Sequence, residues 1–136
     1  MPLPVLPDSD AVTIAALAAE TAVTSLVGLR IYDRIPDVPT WPLITVATIF
    51  ENELTDPIGL DVLEQVDVWG AGGSRLDTFN ARQIARTVRS VSRDLAGTYA
   101  SGTVAGCSAG ELRDLGPDPD TGRAHFALDL NMLIYP

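Results

Sequence analysis

The chain has 136 residues, 46% of them apolar and 20% charged, with 18 acids against nine basic residues and a formal net charge of −9. That length supports one domain with a real core, and the composition excludes a disordered chain. The acidic balance argues against a general duplex binder, whose affinity rests on neutralised phosphates, and leaves open the passage of DNA through a negatively charged channel.

Residues 1–9 carry Pro2, Pro4 and Pro7. Proline fixes φ and removes a backbone donor, so this stretch reads as an extended arm ahead of a single domain over 10–136. Asp8, Ser9 and Asp10 offer N-cap side chains and put negative charge at a helix's positive end. Ile14, Leu17, Ala18, Ala22 and Leu26 give this first helix a small-residue apolar face, and Gly28 suits a left-handed C-cap. RIYDRI, residues 30–35, alternates like a short strand. Pro36, Pro39 and Pro42 stiffen the loop around Trp41. Leu43 to Phe50 is apolar on both faces and β-branched, the pattern of a central strand covered on both sides. ENELTDPIGLD, residues 51–61, is acidic, holds Pro57 and Gly59, and reads as an exposed loop. Val62 to Trp69 is a further strand, with Val66 and Val68 on one side and Gln65 and Asp67 on the other.

The turn GAGGS, residues 70–74, leads into the most telling segment. Ser74 and Asp77 form a capping-box pair. Between Ser74 and Leu95, Ala81, Ile84, Val88, Val91 and Leu95 fall on one helical stripe, and Arg82, Arg86, Arg89 and Arg93 fall on the opposite one. The first stripe must enter a core. Gly97 stops the helix. Thr103 to Leu115 is a weakly patterned strand interrupted by Gly106 and Gly110, and GPDPDTG, residues 116–122, is turn chemistry. In the last strand, Arg123 to Tyr135, Phe126, Leu128, Leu130, Met132 and Ile134 point one way; His125, Asp129 and Asn131 point the other. The order α-β-β-β-α-β-β predicts an α+β domain, with a mostly antiparallel sheet of about five strands and two helices packed on it.

Few residues suggest chemistry. GAGGS sits where phosphate-binding loops sit, but no Lys precedes Ser74 and the third glycine of a dinucleotide fingerprint is replaced by Arg75. It reads as a strand-to-helix turn, with anion binding as the rival. Cys107 is the single cysteine, so no internal disulfide forms, and it reads as a small apolar side chain. His125 is the single histidine, with no companions for a metal and no evident catalytic partner. Glu51, Glu53, Asp56, Asp61 and Glu64 are dense enough for a cation, but their spacing fits no EF-hand and a solvated acidic loop is the plainer reading. No cofactor is expected. No apolar run approaches bilayer-spanning length, and MPLPVLP lacks the features of a secretory signal, so no membrane partner and synthesis in the cytoplasm are expected.

The Arg row is different. Like charges at i,i+4 cost a few tenths of a kcal/mol per pair, so a free face gains nothing from them. Arg82, Arg86, Arg89 and Arg93 therefore point to docking on something acidic. The acidic segment of a neighbouring copy, Glu51, Glu53, Asp56 and Asp61, is a natural partner, and such a heterologous contact closes into a ring when the rotation permits. The polar sheet face of Gln65, Asp67, Asp129 and Asn131 is a candidate channel lining.

The succession VGLRIYDRIP, WPLITV after a Pro-rich loop, VDVWG, an amphipathic helix and a long final strand resembles the tail-terminator, or tail-completion, proteins of long-tailed bacteriophages. The resemblance spans nearly the whole chain and rests on pattern and order. It implies a virion structural protein, made in the host bacterial cytoplasm, that forms a typically hexameric ring at the head-proximal end of the tail. Its partners would be other copies of itself, the major tail tube protein and the head-tail connector, with DNA in transit through the hole. The family brings no catalytic residues. Another neck or tube component is the nearest alternative; a small anion-binding α+β domain or enzyme is the alternative of a different class.

Overall fold

Asp8 starts the first helix, its carboxylate accepting the backbone N–H groups of Asp10 and Ala11. The computed structural model describes residues 5–136, so Pro2 and Pro4 of the expected arm lie outside the described residues. Helix α1 spans Ser9–Ala18 and α2 spans Thr21–Val27, with a bend of 89° between them. The single helix expected here is therefore two. A tight Glu20 N–H to Leu17 carbonyl bond ends the first, and the Glu20 carbonyl opens the second. The buried apolar positions are Val12, Ala16, Leu17, Val23 and Val27, while Ala22 and Leu26 of the expected apolar face are exposed. Gly28 caps α2 with φ +59°, a conformation that costs a residue with a Cβ.

The strands are β1 (Ile31–Tyr32), β2 (Leu43–Thr55), β3 (Ile58–Trp69), β4 (Gly97–Tyr99), β5 (Gly102–Ala109), β6 (Arg113–Pro117) and β7 (Ala124–Tyr135). Helix α3 (Arg75–Val91) and a 3₁₀ turn (Ser92–Leu95) lie between β3 and β4. The fold is α+β, as expected, but the sheet has seven strands in the order β1-β2-β3-β7-β5-β4, with β6 sharing the β5 edge of β7. All pairings are antiparallel except β1 with β2. The single weakly patterned strand expected over Thr103–Leu115 is in fact most of β5 and the start of β6, with β4 just before it; glycines and a bulge hide any alternation there.

Two further expectations fail in β2 and beyond. Residues 51–61 are not a loop: β2 and β3 run on as a hairpin to the Thr55↔Ile58 pair. Nor is β2 covered on both sides throughout. Leu43, Ile44, Thr45 and Val46 are buried, but Ala47, Ile49 and Phe50 are exposed; Ala47 and Phe50 pair with Gln65 and Leu63 on the face that carries no helix.

The helices pack on one face of the sheet. Val66, Val68, Phe126, Leu128 and Leu130 meet Ala81, Ile84, Ala85 and Val88 there in the core. The alternation read in β3 and β7 thus places Gln65, Asp67, His125, Asp129 and Asn131 on the opposite, helix-free face.

Candidate interaction surfaces

Helix α3 begins with a reciprocal cap. Ser74 Oγ accepts the Asp77 N–H at 3.1 Å, and Asp77 Oδ2 accepts the Ser74 N–H at 3.2 Å. This fixes the phase of the helix and so of its arginines. Arg86, Arg89 and Arg93 are exposed and have no acid within ion-pair distance among the described residues. Arg82 stands apart from them. Its guanidinium is 3.8 Å from Asp114 of β6 and lies 5.5 Å from the Phe126 ring centroid, so it covers core as well as carrying charge. Arg93 belongs to the 3₁₀ turn rather than to the helix. Arg82 thus turns toward β6, while α2 also packs against α3.

On the helix-free face the polar residues are bonded to one another. Gln65 sits directly opposite Asp129 and donates to both oxygens of Asp67, while Asn131 sits opposite Leu63. His125 Nε2 donates to Asp67 Oδ1 at 2.8 Å, and its ring stacks on Trp69 at 3.7 Å. Trp69 Nε1 donates to Thr45 Oγ1, and Arg113 grips Asp129 with both terminal nitrogens. His125 is thus tied into a structural network. Burial pushes the Cys107 thiol up to about 11, away from the reactive thiolate.

The acidic segment does not form one cluster. Glu51 and Glu53 lie on the helix-bearing face of the hairpin, paired with Val62 and Leu60; Asp61 is on the other face; Asp56 is in the turn. Sequence reasoning set Glu64 among these exposed acids, but it is fully buried. It shares the face of Val62 and Val66, a parity that exposes it as an inward acid once the strand runs back to Ile58. Thr48 Oγ1 lies 2.9 Å from Glu64 Oε1 and 2.8 Å from Asp10 Oδ1, and 2.8 Å from Ser9 Oγ. Burial, with Asp10 beside it, raises the Glu64 carboxyl to about 8. The first turn of α1 is therefore fastened to β2 and β3 through a carboxyl that stays protonated at neutral pH.

The glycine turn before α3 is filled by the chain itself. Arg123 donates to the Ala71 carbonyl, the Ala124 N–H to Gly72, and the Gly70 N–H to Ala124. A Cβ at Gly73 would collide with the Gly122 carbonyl, and Arg123 also stacks over Trp41 at 4.2 Å. The glycines permit this close approach, and the Ser74 and Asp77 N–H groups are used by the cap.

The model of the family described as tail completion protein gp17 matches residues 11–135. The chain belongs to that family. This makes it a structural protein of the phage tail or neck. No curated protein sequence matches it. A chain in the virion of a native gene transfer agent particle has the same fold, with a TM-score of 0.61 over 89% of this chain and 90% of that one, at 15% identity.

Proposed function

We propose that this tail-completion protein is a tail terminator: a subunit of a typically hexameric ring on the head-proximal end of the tail tube. The ring ends tube polymerisation and presents the surface that joins the head connector, and DNA passes through its hole. The observation that carries this reading beyond family membership is the exposed trio Arg86, Arg89 and Arg93 on α3 and its 3₁₀ turn, in an acidic molecule whose hairpin acids, Glu51, Glu53 and Asp56, are exposed on β2 and its turn. Such a molecule is complementary to its own copies in a heterologous sense, which gives rings. The helix-free face, with Gln65, Asp67, Asp129 and Asn131, faces the hole in this proposal, and its negative charge suits a wall that must not grip phosphate.

Reversing Arg86 and Arg89 to Glu tests the joint. The expected result is a folded chain that no longer caps purified tail tubes, leaving tubes that keep growing. Normal capping by the variant would remove the joint. Cryo-EM of capped tubes tests the lining; those four side chains packed away from the hole would remove it.

A further inference from the structure

One margin of the sheet is left open. β1 pairs with β2 only at Ile44 and Thr45, so from Val46 to Thr55 the outer edge of β2 has no backbone partner among the described residues. Such an edge is a template for association unless something covers it. Exposed Ile49 and Phe50, 56% and 58% accessible, sit on it, followed by Glu51, Glu53 and Asp56. Helix α3 reads in the same sense: exposed Leu76 and Phe79 first, then Arg86, Arg89 and Arg93.

We infer that the open edge of β2 is covered by helix α3 of a second copy, lying alongside it in the same direction, with Phe50 against Phe79 and Glu53 against Arg86. This rests on the ring reading above and specifies its joint. Three observations carry it. The first is charge: the edge is acidic and the helix flank cationic, and among the described residues Glu51, Glu53, Asp56, Arg86, Arg89 and Arg93 have no side-chain partner within their own copy apart from the Ser9 contact to Glu51. The second is spacing. Phe50 to Glu53 is three strand steps and Phe79 to Arg86 seven helical steps, roughly 10 Å in each case; Phe50 pairs with Leu63 on the helix-free face and Glu53 with Leu60 on the helix-bearing one, so the helix seats on the edge itself, between the two side chains.

The third is direction. β2 starts at the Trp69 end of the sheet, where Leu43 pairs with Trp69, and runs to the hairpin turn. α3 starts at that end too, places Arg82 over Phe126, and leads through the 3₁₀ turn into β4, which borders β5 near the Thr103↔Tyr135 pair. Rotation about an axis along this shared direction leaves it unchanged. In a ring built on such an axis, the neighbour's α3 therefore meets β2 running the same way. A helix covering a strand edge also removes the edge without needing a matching ladder.

The test uses the full chain with Cys107→Ser, under conditions where it assembles alone or on purified tubes. Glu53→Cys/Arg86→Cys is compared with Glu53→Cys/Leu76→Cys, whose helix position lies roughly 15 Å away. A short bismaleimide should give covalent multimers with the first pair and none with the second. Glu53→Arg should weaken assembly at least tenfold, and Glu53→Arg/Arg86→Glu should recover it, with circular dichroism showing both folded. Linking through Leu76 instead, or unchanged assembly by Glu53→Arg, overturns the docking. A ring that forms without either link removes the docking and leaves the terminator reading intact. A chain that stays monomeric alone and on tubes removes both.

Discussion

Glu64 and Arg82 each act through where the fold puts them rather than through charge alone. Among the described residues Glu64 Oε2 is buried without a hydrogen-bond partner, and burial raises the carboxyl to about 8 from an ordinary 4.5. Its folded value lies above its unfolded one, so its contribution to stability is complete below about 4.5 and is lost as pH rises through about 8. Within that window stability falls by up to ~1.4 kcal/mol per pH unit on its account. Urea unfolding at pH 5 and 7.5 should show this fall, and Glu64→Gln should flatten it by up to roughly 3 kcal/mol. An unaltered slope in the variant would reject the assignment. For Arg82, truncation to Ala uncovers part of Phe126 and should cost about 1 kcal/mol in urea unfolding. Arg86→Ala should stay within about 0.5 kcal/mol of the parent, as an exposed side chain without partners does. Equal costs for the two would contradict the separation of Arg82 from the row.

At the scale of elements, α3 carries its own punctuation. Ser74→Ala removes the side-chain half of the cap and should cost about 1 kcal/mol, read by urea unfolding. Gly73→Ala should also destabilise, because the added methyl meets the Gly122 carbonyl. Unchanged stability in Gly73→Ala would mean that the turn is looser than described. The same punctuation explains what was legible beforehand. α3 was readable because a cap, an apolar stripe and a charged stripe agree, and β7 because its alternation is long and uninterrupted. The break between α1 and α2 carries neither Gly nor Pro, so nothing in the local chemistry announced it. Pro57 and Gly59, ordinarily loop residues, instead sit in and beside a hairpin turn whose strands pair on both sides. The flank that Arg82 covers was invisible because it depends on β6, a strand with no alternation of its own.

At the scale of the molecule, the proposed joint is electrostatic at its rim, and its strength should follow the medium. Raising salt well above 0.1 M, where the screening length is about 10 Å, should weaken assembly while leaving the melting temperature of the monomer nearly unchanged. Light scattering and thermal unfolding on the same samples separate the two effects, and assembly indifferent to salt would count against the arginines. The family, the class of fold and the helix-free polar face were within reach of a single sequence. The open margin of β2 was not, because it exists only through what β1 fails to cover. That margin carries a kink between Thr48 and Phe50, where one residue is spare. A spare residue spoils the match for any straight strand offered to it, so copies are discouraged from stacking sheet to sheet into endless fibres. A rod-shaped visitor reads no such match. In the proposed ring the flaw thereby acts as a filter on company, admitting a closed circle and turning away a filament.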